Sequence, residues 1–143
     1  MYIDSQETFS EGQSLISATG DVVSTNIYDT GANADVGIGE PLFLIARIGT
    51  AVVGAGSTTQ VVLQTDDNSA FSSPKEFPLT GAQAPAALTA NTFAVKARLP
   101  IGLERYLRVV YRIAGAAVTA GTVDAYIVKD VQANNAYPSG IPA

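Results

Sequence analysis

Cysteine and histidine are both absent from the 143 residues. Without cysteine there is no disulfide, thiolate nucleophile or thiolate ligand, and a reducing compartment is expected. Without histidine the commonest zinc ligand and the usual general base at neutral pH are missing too. Ser-His-Asp and Cys-His arrangements are therefore excluded. Tryptophan is also absent, and methionine occurs once. Charge is scarce, at 15% of residues against about 25% in an ordinary soluble domain. These shortages argue against an enzyme and leave much uncharged surface for a partner to cover.

What is present suits one globular domain. Hydrophobic residues make up 47% of the chain. A chain of this length buries roughly 68–70% of its unfolded surface and can hold a core unaided. The net charge is −5, and no basic cluster exists to replace the counterions of a phosphate backbone, so no nucleic-acid partner is expected. The charges are unevenly placed. Residues 1–71 hold nine acids and one base, residues 72–143 four acids and seven bases. Such polarity can orient a protein on its partner or pair two copies, unless the fold interleaves the halves. The uncharged stretches 48–65 and 77–95 carry too many Ser, Thr, Gln, Asn and Pro residues for a membrane span. The start of the chain shows neither a basic nor an apolar export segment, so no signal peptide is expected.

The dominant hydrophobic period is two, the mark of half-buried strands. Phe93, Val95, Ala97 and Leu99 alternate with Ala94, Lys96 and Arg98. Leu107, Val109, Tyr111 and Ile113 alternate with Arg108, Val110 and Arg112, and Val123, Ala125 and Ile127 with Thr122, Asp124 and Tyr126. Further strands are expected at 14–18, 22–28, 42–48, 59–65 and 75–79. The segment 42–48 is apolar on both faces and should be central or covered. Gly, Asp, Asn and Pro punctuate these runs. About eight short strands imply an antiparallel sandwich, jelly roll or small barrel. One helical turn near 82–88 is the best helical candidate, and Pro85 limits it. Residues 1–12 read as an N-terminal arm, 13–131 as the β domain, and the Pro- and Gly-rich 132–143 as a C-terminal tail.

The glycine-rich loops lack the chemistry that would make them phosphate sites. Gly37-Ile38-Gly39 runs into Glu40-Pro41-Leu42 without a third glycine, and Ala55-Gly56 stand where a P-loop needs Lys and Ser or Thr. Asp66-Asp67-Asn68 is the compact carboxylate group, but adjacent acids do not match cation-loop spacing. These three residues are expected to build a turn through Asx hydrogen bonds. No catalytic residue, metal site or cofactor is expected. Glu104-Arg105-Tyr106-Leu107-Arg108 is more suggestive. Leu107 belongs to the apolar face, so Tyr106, Arg108, Val110 and Arg112 share the other. That face is either a recognition surface, since Tyr and Arg are enriched at interfaces, or a solvated outer face.

Several segments, taken in order, resemble the capsid cement (decoration) proteins of podovirus-type tailed bacteriophages. They are Met1-Tyr2-Ile3-Asp4, Gly39-Glu40-Pro41-Leu42, and Leu63-Gln64-Thr65-Asp66-Asp67-Asn68 leading into Ala70-Phe71-Ser72-Ser73. Arg98-Leu99-Pro100-Ile101-Gly102, Glu104-Arg105-Tyr106-Leu107-Arg108 and Val128-Lys129-Asp130-Val131-Gln132 follow. The resemblance implies a jelly-roll β-sandwich of about eight strands with extended arms, a structural virion protein rather than an enzyme. It implies binding to the outer surface of an icosahedral head, clamping neighbouring capsomers of the major capsid protein against DNA pressure. It further implies a homo-oligomer, a dimer before a trimer, made and assembled in the host bacterial cytoplasm. Expected capsid or intersubunit contacts are Tyr2, Ile3, Phe9, Tyr137 and Ile141 from the arms, with Glu104, Arg105, Tyr106, Arg108 and Arg112 from the strand face. The alternative is a carbohydrate- or host-binding module on the virion surface, with Asp66-Asp67-Asn68 near Phe71 as its site.

Overall fold

The computed structural model describes residues 4–131. Nine strands follow in order: β1 Thr8–Ser14, β2 Gly20–Val23, β3 Tyr28–Asp29, β4 Phe43–Ile48, β5 Thr58–Asp66, β6 Lys75–Pro78, β7 Phe93–Arg98, β8 Tyr106–Ala114 and β9 Thr122–Val128. Two single 3-10 turns, Ser5–Glu7 and Pro85–Ala87, complete the elements. The second is the turn expected near Pro85, which sits at its first position because a missing N–H is no loss there.

The strands form two antiparallel sheets. One has the order β1-β9-β4-β7, the other β2-β8-β5-β6, with β3 also pairing β8. Because β2 and β3 lie on the same strand, at Val110–Ile113 and Tyr106–Leu107, they act as one interrupted strand. Counted so, there are eight. The chain passes repeatedly from sheet to sheet, and strands distant in sequence become neighbours. This is the jelly-roll arrangement of two four-stranded sheets.

Alternation explains which face of each strand is buried. Leu44, Ala46 and Ile48 of β4, Val95 of β7, and Val123, Ala125 and Ile127 of β9 face inward from one sheet. Val61 and Leu63 of β5 and Leu107, Val109, Tyr111 and Ile113 of β8 meet them from the other. Each fully buried aliphatic or aromatic side chain contributes roughly 1.5–3 kcal/mol. The segment 42–48 is central as expected, since β4 lies between β9 and β7. Its outward residue Ile45 joins Tyr126 and Val128 in a second small apolar cluster, against which Phe43 and Val131 pack.

The N-terminal boundary differs from expectation. Residues 8–12 are not an arm but part of β1, paired with β9. Phe9 is wholly buried in the main core, so it is corrected from a surface contact to a core residue. The strand expected at 14–18 does not form: Ser14 ends β1, Ser17 makes only an isolated bridge to Val118, and Leu15 enters the core from the loop. The strand expected at 22–28 is split into β2 and the short β3. At β7 the alternation slips. A register shift between Ala46 and Arg47 sets Arg47 opposite Phe93, leaving Phe93 43% exposed while Ala94 is buried. Tyr2, Ile3, Tyr137, Ile141 and the tail 132–143 lie outside the described residues.

Candidate interaction surface

One end of the sandwich collects the segments between 39 and 131 that carry the resemblance. Antiparallel pairing places the starts of β4 and β8 beside the ends of β5, β7 and β9. The loops 30–42, 67–74, 99–105 and 129–131 therefore share this end. They are stitched together by side chains. Asp35 Oδ1 accepts from the N–H of Gly37 at 2.9 Å, and its Oδ2 from the N–H of Gly102 at 2.6 Å. Burial opposes ionisation of this carboxyl, but the N–H groups of Gly102, Gly37 and Leu103 outweigh it and hold the pKa below its ordinary value. Thr65 Oγ1 accepts from the N–H of Glu104 at 2.8 Å and donates to the carbonyl of Tyr106 at 3.0 Å. Glu40 pairs with Lys129, and Glu104 with Lys75, each at 2.7 Å.

Asp66, Asp67 and Asn68 form the expected turn at this end. Asp66 Oδ2 accepts from Ser73 N–H at 2.9 Å and its Oδ1 from Asn68 N–H at 3.1 Å. Those N–H bonds, Ser73 first, lower the Asp66 pKa, while the adjacent Asp66 carboxyl raises that of Asp67. Asn68 Oδ1 accepts from Ala70 N–H at 2.9 Å. Phe71 closes the turn at φ 50, in the left-handed region a bulky residue rarely enters, with its ring buried. Both Asp66 oxygens are thus spent on the backbone, and the Phe71 ring lies under the Arg108 guanidinium at 4.1 Å.

The outer face of the five-stranded sheet carries the Tyr-Arg pattern. Arg112 reaches Asp21 with two bonds, at 2.8 and 2.9 Å, and Glu76 at 2.9 Å. Glu76 also accepts from Gln64 Nε2 at 2.7 Å, and Gln64 Oε1 accepts from Arg108 Nε at 2.7 Å. A ladder of planar polar groups thus crosses β2, β8, β5 and β6. The hydrogen bond from Arg112 is the main cause of the lowered pKa values of Asp21 and Glu76. Arg105 grips Asp29 at 2.8 and 3.0 Å and lies 5.0 Å over the Tyr106 ring. The outward valines Val62 and Val110 are buried, flanked on their strands by Gln60 and Gln64 and by Arg108 and Arg112.

The sequence-selected residues Glu104, Arg105, Tyr106, Arg108 and Arg112 are thus brought together, at the end and outer face of one sheet. Their charges, however, are engaged within the chain. The ion pairs Arg105–Asp29, Arg112–Asp21 and Lys129–Glu40 each join an acid of the first half to a base of the second. These three pairs offset part of the charge asymmetry of the sequence. Asp35, Ile38 and Ile101 were missed by sequence reasoning. An Asp two residues before a glycine signals an Asx turn, but the partner of Asp35, Gly102, is distant in sequence.

A family model described as Bbp16 matches residues 9–127, from the second residue of β1 to the last but one of β9. No curated protein matches the chain.

Proposed function

This chain belongs to the Bbp16 family, and we propose that it is a structural protein of a bacteriophage virion. In this reading it binds the outer surface of the icosahedral capsid and clamps neighbouring capsomers of the major capsid protein, stabilising the head against the pressure of packaged DNA. One observation carries the reading. Of the segments that resemble capsid cement proteins, those within the described residues are scattered from residue 39 to residue 131, yet the jelly roll gathers them at one end, where their loops are cross-linked by hydrogen bonds and ion pairs. A surface ordered before contact loses little conformational entropy on docking. Many copies around a shell convert modest affinity at each site into firm retention.

Cementing involves no bond making. It needs buried area and a rigid shape, and the sandwich with its tied loops supplies both. A homo-oligomer, a dimer before a trimer, is part of the same proposal, and sedimentation of the free protein reads its mass.

The deciding experiment is a virion reconstruction by electron cryomicroscopy. Density for this chain is expected on the outside of the shell, bridging capsomers. Density inside the shell, or a complete virion without the chain, refutes the proposal. Heads lacking the chain should also rupture at lower temperature and regain stability when purified protein is added.

A further inference from the structure

At the stitched end two isoleucines stand out in water. Ile38 is 64% exposed and Ile101 66%. Both belong to loops that are held together. Asp35 binds the N–H of Gly37, next to Ile38, and of Gly102, next to Ile101. Gly37 lies so close to the Pro100 carbonyl that a β-carbon there would collide with it. Gly102 continues the turn at φ +99, which suits glycine. The pair therefore brackets one backbone contact and is presented on an ordered base. Loops usually carry polar tips, and a rigid exposed aliphatic pair leaves apolar area in water with no gain to the fold.

The loop end that carries the pair holds more acids than bases among the described residues. Asp35 is spent on N–H groups, and Glu40 is paired with Lys129. Asp67 and Asp130 have no salt bridge among the described residues, whereas Lys75, Lys129 and Arg105 of this end are all paired with carboxylates. Arg98, the last residue of β7, and Arg108, which lies over Phe71 and bonds Gln64, are the bases at this end without an ion pair among the described residues. A complementary surface has an apolar hollow with lysines or arginines at its rim.

We infer that Ile38 and Ile101, fixed by the Asp35 clamp, form the apolar anchor of the docking surface, and that they seat in an apolar hollow with a basic rim on the major capsid protein. The inference rests on the proposed function and adds to it the contact residues and the chemistry of the partner. The end of the sandwich, rather than the Tyr-Arg face, then makes the central contact. A few residues seated in well-packed, fully desolvated pockets carry most of the energy of such interfaces.

The test uses full-length protein and capsid shells stripped of it. Ile38→Asp and Ile101→Asp are both expected to weaken shell binding by about tenfold or more, with the thermal midpoint unchanged because both positions are exposed. Ile101→Val should retain most of the binding. Val53→Asp, at a position 52% exposed at the opposite end of the sandwich, serves as the control and should bind as wild type. Wild-type binding by both aspartate variants overturns the inference and leaves the cement reading intact. An altered sedimentation mass with unaltered shell binding also overturns it, by making the pair a contact between copies. If the wild-type protein itself binds no shell, the functional reading fails and the inference falls with it.

Discussion

Ser10 Oγ and Tyr111 Oη lie 2.8 Å apart in the buried interior. They belong to strands of different sheets, β1 and β8, so this hydroxyl pair is a polar tie through an otherwise apolar core. Ser10 also donates to Gln13 Oε1 at 2.6 Å. Burial raises the Tyr111 pKa and keeps the phenol protonated.

Tyr111→Phe removes one member of the tie and leaves the ring in place. Ser10 keeps Gln13, so the expected loss is about 1 kcal/mol, read from the urea midpoint. A double-mutant cycle with Ser10→Ala should show coupling between the two. Additive effects would mean that the hydroxyls do not support one another.

Phe9 distinguishes a structural first strand from a detachable arm. Phe9→Ala should cost about 3–5 kcal/mol, the range for deleting a buried aromatic ring. Equilibrium unfolding measures it. A wild-type midpoint would return residues 8–12 to the status of an arm.

Acid should loosen the loop end. Asp21, Asp29, Asp35, Glu40, Asp66 and Glu76 all have folded pKa values below their ordinary ones. A depressed carboxyl stabilises the fold above its unfolded value, about 3.9 for Asp and 4.3 for Glu, and the contribution fades as pH falls through the folded value. Asp67 and Glu7 are raised and oppose this trend. Stability should therefore decline from about pH 5 downward. The deficit of Asp66→Asn relative to wild type should be largest at neutral pH and shrink in acid. A deficit independent of pH would show that the Asp66 charge is not what holds its turn.

Gly37 and Gly81 make a matched pair for loop packing. Gly37→Ala drives a methyl group into the Pro100 carbonyl, whereas a β-carbon on Gly81 meets nothing within 4 Å. Neither has a left-handed φ, so backbone strain does not enter. Gly37→Ala is expected to destabilise by about 1–3 kcal/mol, as overpacking does, and Gly81→Ala to be nearly silent. Thermal melts of the two variants decide the matter. Equal midpoints would show that the 30–42 and 99–105 loops separate without cost.

How far the sequence could be read depended on where alternation survived. Leu107 to Ile113 and Val123 to Ile127 keep strict period two, and their inward faces were legible at once. In β1 the register shifts twice, between Thr8 and Ser10 and again before Gln13. Phe9 therefore stood among polar neighbours without a periodic signal. In β7 one register shift moved Phe93 from the core to the surface. The Asp66 turn was legible because its bonds are local. The Asp35 clamp was not, because it joins residues that only the fold makes adjacent. The arginines of β8 were located on the right face, but the acidic partners of Arg112 lie on β2 and β6 and the Gln64 partner of Arg108 on β5, and pairing across strands is invisible before topology is known.

The first and last strands are direct neighbours, with Thr8 opposite Tyr126, so the polypeptide enters and leaves the sandwich through the same doorway. Antiparallel rungs run across the strands. Tension pulling the two chain ends apart would load those rungs singly and peel the ladder like a zip. The same force arriving through the tied loops is shared among several strands of both sheets at once. A tether that must endure sustained strain is mechanically best gripped by its loops rather than through β1 and β9.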